Sequence, residues 1–156
     1  MIRDIQNFVD DIDTARQIAT QFNQFEYGYL GEVNTMRTLT QNDTLLILLP
    51  PESVMPDMYK NDEEVVCVFH CLIPFNEYAG AIPTNDNTAL QFFHDLLKEK
   101  FLNTIGHLCR NNENKYIVSS PLRFVRTSRE FNQNYVGLEC TISFRMFSTC
   151  IGLSLG

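Results

Sequence analysis

Tryptophan is absent from the 156 residues, glycine occurs seven times and histidine three times. No apolar run exceeds five residues, far short of the ~20 that a helix needs to span a bilayer. The glycines are scattered, so neither G-x-x-x-x-G-K-[ST] nor G-x-G-x-x-G occurs, and nucleotide binding through those phosphate-cradling loops is excluded. No G-x-S-x-G elbow surrounds Ser119 or Ser120, and no H-E-x-x-H zinc motif is present. Residue chemistry alone announces no activity, and no catalytic residue, cofactor or metal is expected.

What the chain has is core-forming material. It is 44% hydrophobic, with 12 Phe and 6 Tyr, the composition of a packed globular domain. One domain over residues 1–150 with a short extension at 151–156 fits the length. No long apolar signal segment follows Met1, so a protein made and kept in the cytoplasm is expected. Five cysteines, an odd number, read as buried thiols rather than a disulfide framework. Cys67, His70 and Cys71, with His107 and Cys109, suggest a metal cluster at first sight. On a strand, though, Cys67 and Cys71 share a face about 13 Å apart while His70 points the other way, too far for zinc bonds of ~2.0 to 2.3 Å. The three histidines read as structural or surface groups, and Cys67 or Cys71 as a nucleophile with a histidine nearby is the outside case for a thiol-dependent enzyme.

Charge is unevenly spread. The net charge is −7, but residues 1–99 hold 5 basic and 16 acidic side chains, a net of −11, while residues 100–156 hold 7 and 3, a net of +4. An acidic chain lacks the cationic surface that gains affinity from phosphates, so no sequence-specific nucleic-acid binding is expected. Lys115, Arg123, Arg126 and Arg129 are the exception, yet arginines three apart on a regular strand do not share a face.

Ile5, Phe8, Val9, Ile12, Ala15, Ile18, Ala19 and Phe22 follow a helical rhythm. Phe25, Tyr27 and Tyr29 alternate like a strand running toward Val33. The run at 45–49 is apolar on both faces, as in an interior strand, and stops at Pro50 and Pro51, which lack amide protons. Val65 and the apolar residues up to Ile73 form another strand. Between them, residues 50–64 read as a long loop with three prolines, and a loop of that size generally has a job. A second helix starts around Thr88 and Gln91, a capping-box spacing, with Leu90, Phe93, Leu97, Phe101, Ile105 and Leu108 on one stripe widened by Phe92, Leu96 and Leu102. The polar run 110–114 ends it. Residues 116–126 pair with 135–147, bent at Pro121, and along the latter Val136, Leu138, Cys140, Ile142, Phe144 and Met146 share one face. The expectation is an α+β fold, a mostly antiparallel sheet with two helices packed on one face.

The segment order, the stretch Phe22-Asn23-Gln24-Phe25-Glu26-Tyr27-Gly28-Tyr29-Leu30-Gly31-Glu32-Val33-Asn34, the proline-ended strand at 45–51, and the hairpin with Phe131, Asn132, Gly137, Leu138 and Glu139 resemble the neck and tail-completion proteins of tailed bacteriophages. The asparagine-rich composition resembles phages of Bacteroidetes, including the crAss-like group. The resemblance implies a tail-terminator-like fold. It further implies a non-enzymatic virion subunit that forms a sixfold or twelvefold ring beside portal, neck or tail proteins and assembles in the host cytoplasm. Tail terminator, head-tail connector and tail adaptor all remain open, and a non-viral cytoplasmic adaptor is the alternative.

Head-to-tail contact in a ring joins two different surfaces, so opposite charges favour it. Acidic Asp57, Asp62, Glu63 and Glu64 are therefore expected to meet Lys115, Arg123, Arg126 and Arg129 across a subunit boundary or between stacked rings, with Met55, Met58 and Tyr59 supplying buried contact. Ile151, Leu153 and Leu155, alternating with small residues, read either as an arm that adds to a neighbour's sheet or as a frayed end.

Overall fold

The computed structural model describes residues 2–28, 44–54, 62–74, 86–112, 115–119, 121–130 and 135–147. In chain order the elements are α1 (Ile2–Ala19), β1 (Gln24–Tyr27), β2 (Leu45–Leu48), β3 (Glu52–Val54), β4 (Asp62–Pro74), α2 (Asp86–Asn111), β5 (Tyr116–Val118), β6 (Arg123–Glu130) and β7 (Tyr135–Phe147). They form the expected α+β architecture: seven strands in one sheet, every pairing antiparallel except β1 with β2, and both helices against the same face. Neither described helix is long and apolar enough to cross a membrane.

The sheet is built on β4 and β7, which pair antiparallel over thirteen positions from Asp62 opposite Phe147 to Pro74 opposite Tyr135. Alternation then decides the faces. Val65, Cys67, Phe69, Cys71 and Ile73 on β4, with Val136, Leu138, Cys140, Ile142 and Phe144 on β7, are buried toward the helices. On the other parity of β7, Glu139 and Thr141 are half-buried and Arg145 is exposed. β2 is buried on both faces, as its uninterrupted apolar run predicts, and it lies between β1 and β4.

Prolines break both outer lines of strands. Leu48 lies opposite Phe69 and Glu52 opposite Val66, so four residue steps on one side span three on β4. Pro50 and Pro51 occupy this extra length, where their missing amides cost no ladder bond. On the far side, Val118 lies opposite Phe144 and Arg123 opposite Thr141, with Pro121 at the break. The bend expected at Pro121 is thus the junction of β5 and β6. The loop expected at 50–64 is corrected: it contains β3, and β4 already starts at Asp62.

Phe8, Val9, Ile12, Ala15 and Ala19 pack α1 on the sheet, and Phe93, Leu97, Phe101, Ile105 and Leu108 do so for α2. Ile18, Phe92 and Leu102 depart from expectation and are exposed. At 100° per residue each lies more than about 100° from the centre of its helix's buried stripe. α2 also begins two residues before Thr88, which therefore stands in its first turn and not at the cap. At its other end the Asn112 side-chain amide donates to the Leu108 carbonyl at 2.7 Å, satisfying one of the free terminal carbonyls.

α1 ends at Thr20, whose left-handed φ of 54° lets its N–H donate to the Arg16 carbonyl. Asn23 then ties β1 to β2. Its Oδ1 accepts from the Thr44 N–H at 2.7 Å, and its N–H donates to the Thr44 hydroxyl at 3.0 Å. Gly28, at a φ of 150° that favours glycine, closes β1 by donating to the Leu48 carbonyl. The continuation of this strand toward Val33 lies outside the described residues.

A polar clamp joins α1 to β5. The Tyr116 hydroxyl donates to Asp11, which also receives the Lys115 ammonium at 3.3 Å. The ring of Tyr116 is buried against Phe8 and Phe144. Tyr116→Phe should lower stability by about 1.5 to 3 kcal/mol, the usual contribution of a hydrogen bond to a charged group. Leu138→Asp or Ile142→Asp should abolish cooperative folding, because each buries an unpartnered carboxylate. Thr141→Asp, on the opposite parity, should fold with a melting temperature within a few degrees of the parent, and comparative thermal melts check all three.

Candidate assembly surface

The sheet has two flanks. β1 and β3 lie on one, β5 and β6 on the other, and among the described residues no strand pairs with the outer side of any of them. Their charges differ. β1 and β3 carry Glu26 and Glu52 and no basic residue, whereas β6 carries Arg123, Arg126, Arg129 and one acid, Glu130. The sequence split of −11 and +4 therefore becomes, in part, an acidic flank and a basic flank of one sheet.

Asp62 and Glu63 lie on β4 opposite Phe147 and Met146. Glu64 is half-buried between Val54 on β3 and Arg145 on β7, so an opposite charge already stands in its own row. Lys115 is engaged within the chain by Asp11, and its ammonium also sits 5.3 Å from the Tyr116 ring centre. Arg123 and Arg126 are exposed. Met55, Asp57, Met58, Tyr59, Ile151, Leu153 and Leu155 lie outside the described residues.

The rule that arginines three apart diverge fails at one point. Arg126 lies opposite Leu138 and Arg129 opposite Val136, so a β-bulge makes three steps on β6 match two on β7. Both positions consequently face residues of one parity. A regular-strand reading of the sequence could not find this, because nothing in Thr127 or Ser128 marks the extra residue.

Apolar residues on these flanks were missed too. Tyr27, Ile117, Val118 and Val125 are 36 to 43% exposed, each at the rim of the sheet. By register, Ile117 and Val125 belong to the face turned away from the helices, beside Arg145 and Glu139. Phe124 points the other way, edge-on to Phe101, and the Lys98 ammonium lies 5.0 Å from its ring centre. Lys98 thus shields the apolar side of β6 while keeping its charge in water.

The thiols occupy a different part of the molecule. Cys67, Cys71 and Cys140 are buried on the helix-facing side, and Cys109 is half-buried on α2. Burial pushes the Cys67 thiol up, and it pushes Cys71 up as well, reinforced by the hydrogen bond and charge interaction with Cys140. Cys109 is raised by burial, with Arg110 pulling weakly the other way. None of these three is poised as a thiolate, the form that attacks or binds metal. His70 is buried on the opposite face, across from Glu139 and Ile47, and His94 is buried on α2. Among the described residues no group of three or more His, Cys, Asp or Glu could hold a metal ion. Gly152-Leu153-Ser154-Leu155-Gly156 does spell G-x-S-x-G. Such an elbow needs a strand before its serine and a helix after it, and these residues lie outside the described part.

Maleimide labelling of the native protein at pH 8 should leave Cys67, Cys71 and Cys140 unmodified over the minutes in which a free thiol reacts, with Cys109 labelled slowly. Fast modification of Cys67 or Cys71 would restore the nucleophile reading. No protein-family model matches the chain, and no curated protein sequence matches it either.

Proposed function

We propose that this chain is a non-enzymatic structural subunit of a tailed-bacteriophage neck or tail, assembling as a sixfold or twelvefold ring through the unlike flanks of its sheet. The observation that carries the assembly part is the acidic flank of β1 and β3 set against the basic flank of β6. Unlike surfaces on one subunit can meet only head to tail, and such contacts either close into rings or continue as filaments. Residue resemblance, not geometry, carries the placement in a virion, the tail-terminator-like character and the neighbouring portal, neck or tail proteins.

In this reading Asp57, Asp62, Glu63 and Glu64 lie toward Lys115, Arg123, Arg126 and Arg129 of the next subunit. Exposed ion pairs contribute only ~0.2 to 1 kcal/mol each, so charge sets orientation and rate while Met55, Met58 and Tyr59 supply apolar contact. Ile151, Leu153 and Leu155 add an arm to the neighbour.

Mass photometry of the purified chain, alone and with the products of neighbouring genes, tests this. Closed oligomers of six or twelve copies are expected, and a persistent monomer under all conditions contradicts the reading. Assembly should slow as salt rises from 0.1 to 1 M, because the Debye length falls from ~10 to ~3 Å. Deleting residues 151–156 should weaken assembly and leave the melting temperature unchanged, and undiminished assembly would remove the arm.

A further inference from the structure

We infer that the exposed edge of β6 takes up an extended segment of a partner protein with the pattern acid–apolar–apolar–acid, which adds to the sheet as a further strand beside Arg123, Phe124, Val125 and Arg126. The partner is a different protein, and the site stands whether or not copies of this chain close into rings.

Four residues define the acceptor. On one side of them is Pro121, which has no amide proton to offer a ladder, and on the other the bulge after Arg126 breaks the register. Between these limits Arg123 to Arg126 pair without a slip with Thr141 to Leu138. In an antiparallel ladder alternate residues turn their N–H and C=O away from the partner strand, so two of the four present both groups outward. Side chains show that this edge is open. Arg123, Val125 and Arg126 are exposed, on both faces of the strand, and Phe124 is only half-buried. Among the described residues neither guanidinium takes part in an ion pair or a hydrogen bond.

Parity then sets the chemistry of the occupant. Arg123 and Val125 belong to the face turned away from the helices, opposite Thr141 and Glu139, while Phe124 and Arg126 belong to the helix side, opposite Cys140 and Leu138. Each face thus offers one cation and one apolar group. A strand laid alongside sets one residue opposite each of the four, on alternating faces. Two acids opposite the arginines, with two apolar residues between them, complement the whole window. The pattern is the same in both directions, so the segment fits parallel or antiparallel. On the helix side Lys98, 5.0 Å from the Phe124 ring centre, adds a third cation.

Two other occupants fit less well. Nowhere in the 156 residues is an acid followed by two apolar residues and a second acid, so a second copy cannot supply the segment. A nucleic-acid backbone meets a protein from one side, whereas the two arginines stand on opposite faces, and only a chain in the plane of the sheet reaches both. The ring reading sets these same arginines against the next subunit, so the segment and that neighbour compete for one edge.

An eight-residue probe with blocked ends, Gly-Thr-Glu-Val-Val-Glu-Thr-Gly, tests this on the full chain by NMR titration of the backbone amides. Shifts centred on β6 and the adjoining part of β7 are expected. Affinity should be at least ~10-fold above that of Gly-Thr-Val-Glu-Glu-Val-Thr-Gly, which has the same composition with the acids out of step. Methylating one alternate set of probe amide nitrogens should abolish binding, and methylating the other set should not. Arg123→Glu with Arg126→Glu should keep the parent melting temperature and reverse the preference toward Gly-Thr-Lys-Val-Val-Lys-Thr-Gly. Equal affinity for the two acidic probes, no binding at ~1 mM probe, or binding of an oligothymidine but not of the probe overturns the strand site. Probe binding to a chain that never assembles leaves the strand site standing and ends the ring reading. Where the chain does assemble, saturating probe should dissociate the oligomers.

Discussion

Everything in the fold hangs on the antiparallel pairing of β4 with β7. All the remaining strands except β1 pair with one of these two, and the rows of their buried face define where the helices lie. The partners are more than sixty residues apart in the chain, so the ladder must close a long loop before it yields any burial. Its buried side repays this with fully inaccessible Val65, Phe69, Ile142 and Phe144, onto which Phe8 and Phe101 fold. α1 is held from a second direction by the Asp11 clamp on Tyr116 and Lys115. Three thiols within this core behave as small apolar groups, with ionisation suppressed at Cys67 and Cys71 by the same burial that stabilises the sheet.

Such a central pair leaves two outer lines of strands, both interrupted by proline. Interruption has a structural benefit. An edge of short strands with charged residues and a bulge is a poor template for indiscriminate pairing, which is how soluble sheets avoid aggregation. Opposite charge on the two flanks goes further, since it opposes pairing of like edges and permits pairing of unlike ones.

The architecture was legible in the sequence wherever one periodicity ran long enough to overrule its neighbours. Along β7, Val136 to Phe144 alternates without a break, and in α2 the stripe from Phe93 to Leu108 holds for four turns. Legibility failed where the signal was local. β3 has three residues, Glu52, Ser53 and Val54, hidden between two prolines and a polar stretch, too short to show alternation. The β6 bulge changes register without a distinctive residue. Ile18, Phe92 and Leu102 are apolar by type but stand outside the buried stripes, and only the packed structure shows that they stay exposed while Phe8 and Phe93 are buried. For the candidate assembly surface, the charge split was visible as composition along the chain. Its conversion into two flanks was not, because flank membership depends on the strand order β1-β2-β4-β7, with β6 added at the far side, a long-range fact.

The central claim is that one sheet with unlike flanks joins copies head to tail. An electron cryo-microscopy reconstruction of the assembled chain tests it most directly. The account predicts neighbouring subunits related by a rotation that repeats around a closed ring, with the β6 flank of each against the β1 and β3 flank of the next. Subunits paired about two-fold axes with like flanks together, or joined through the exposed helix surface around Ile18, Phe92 and Leu102, would contradict it.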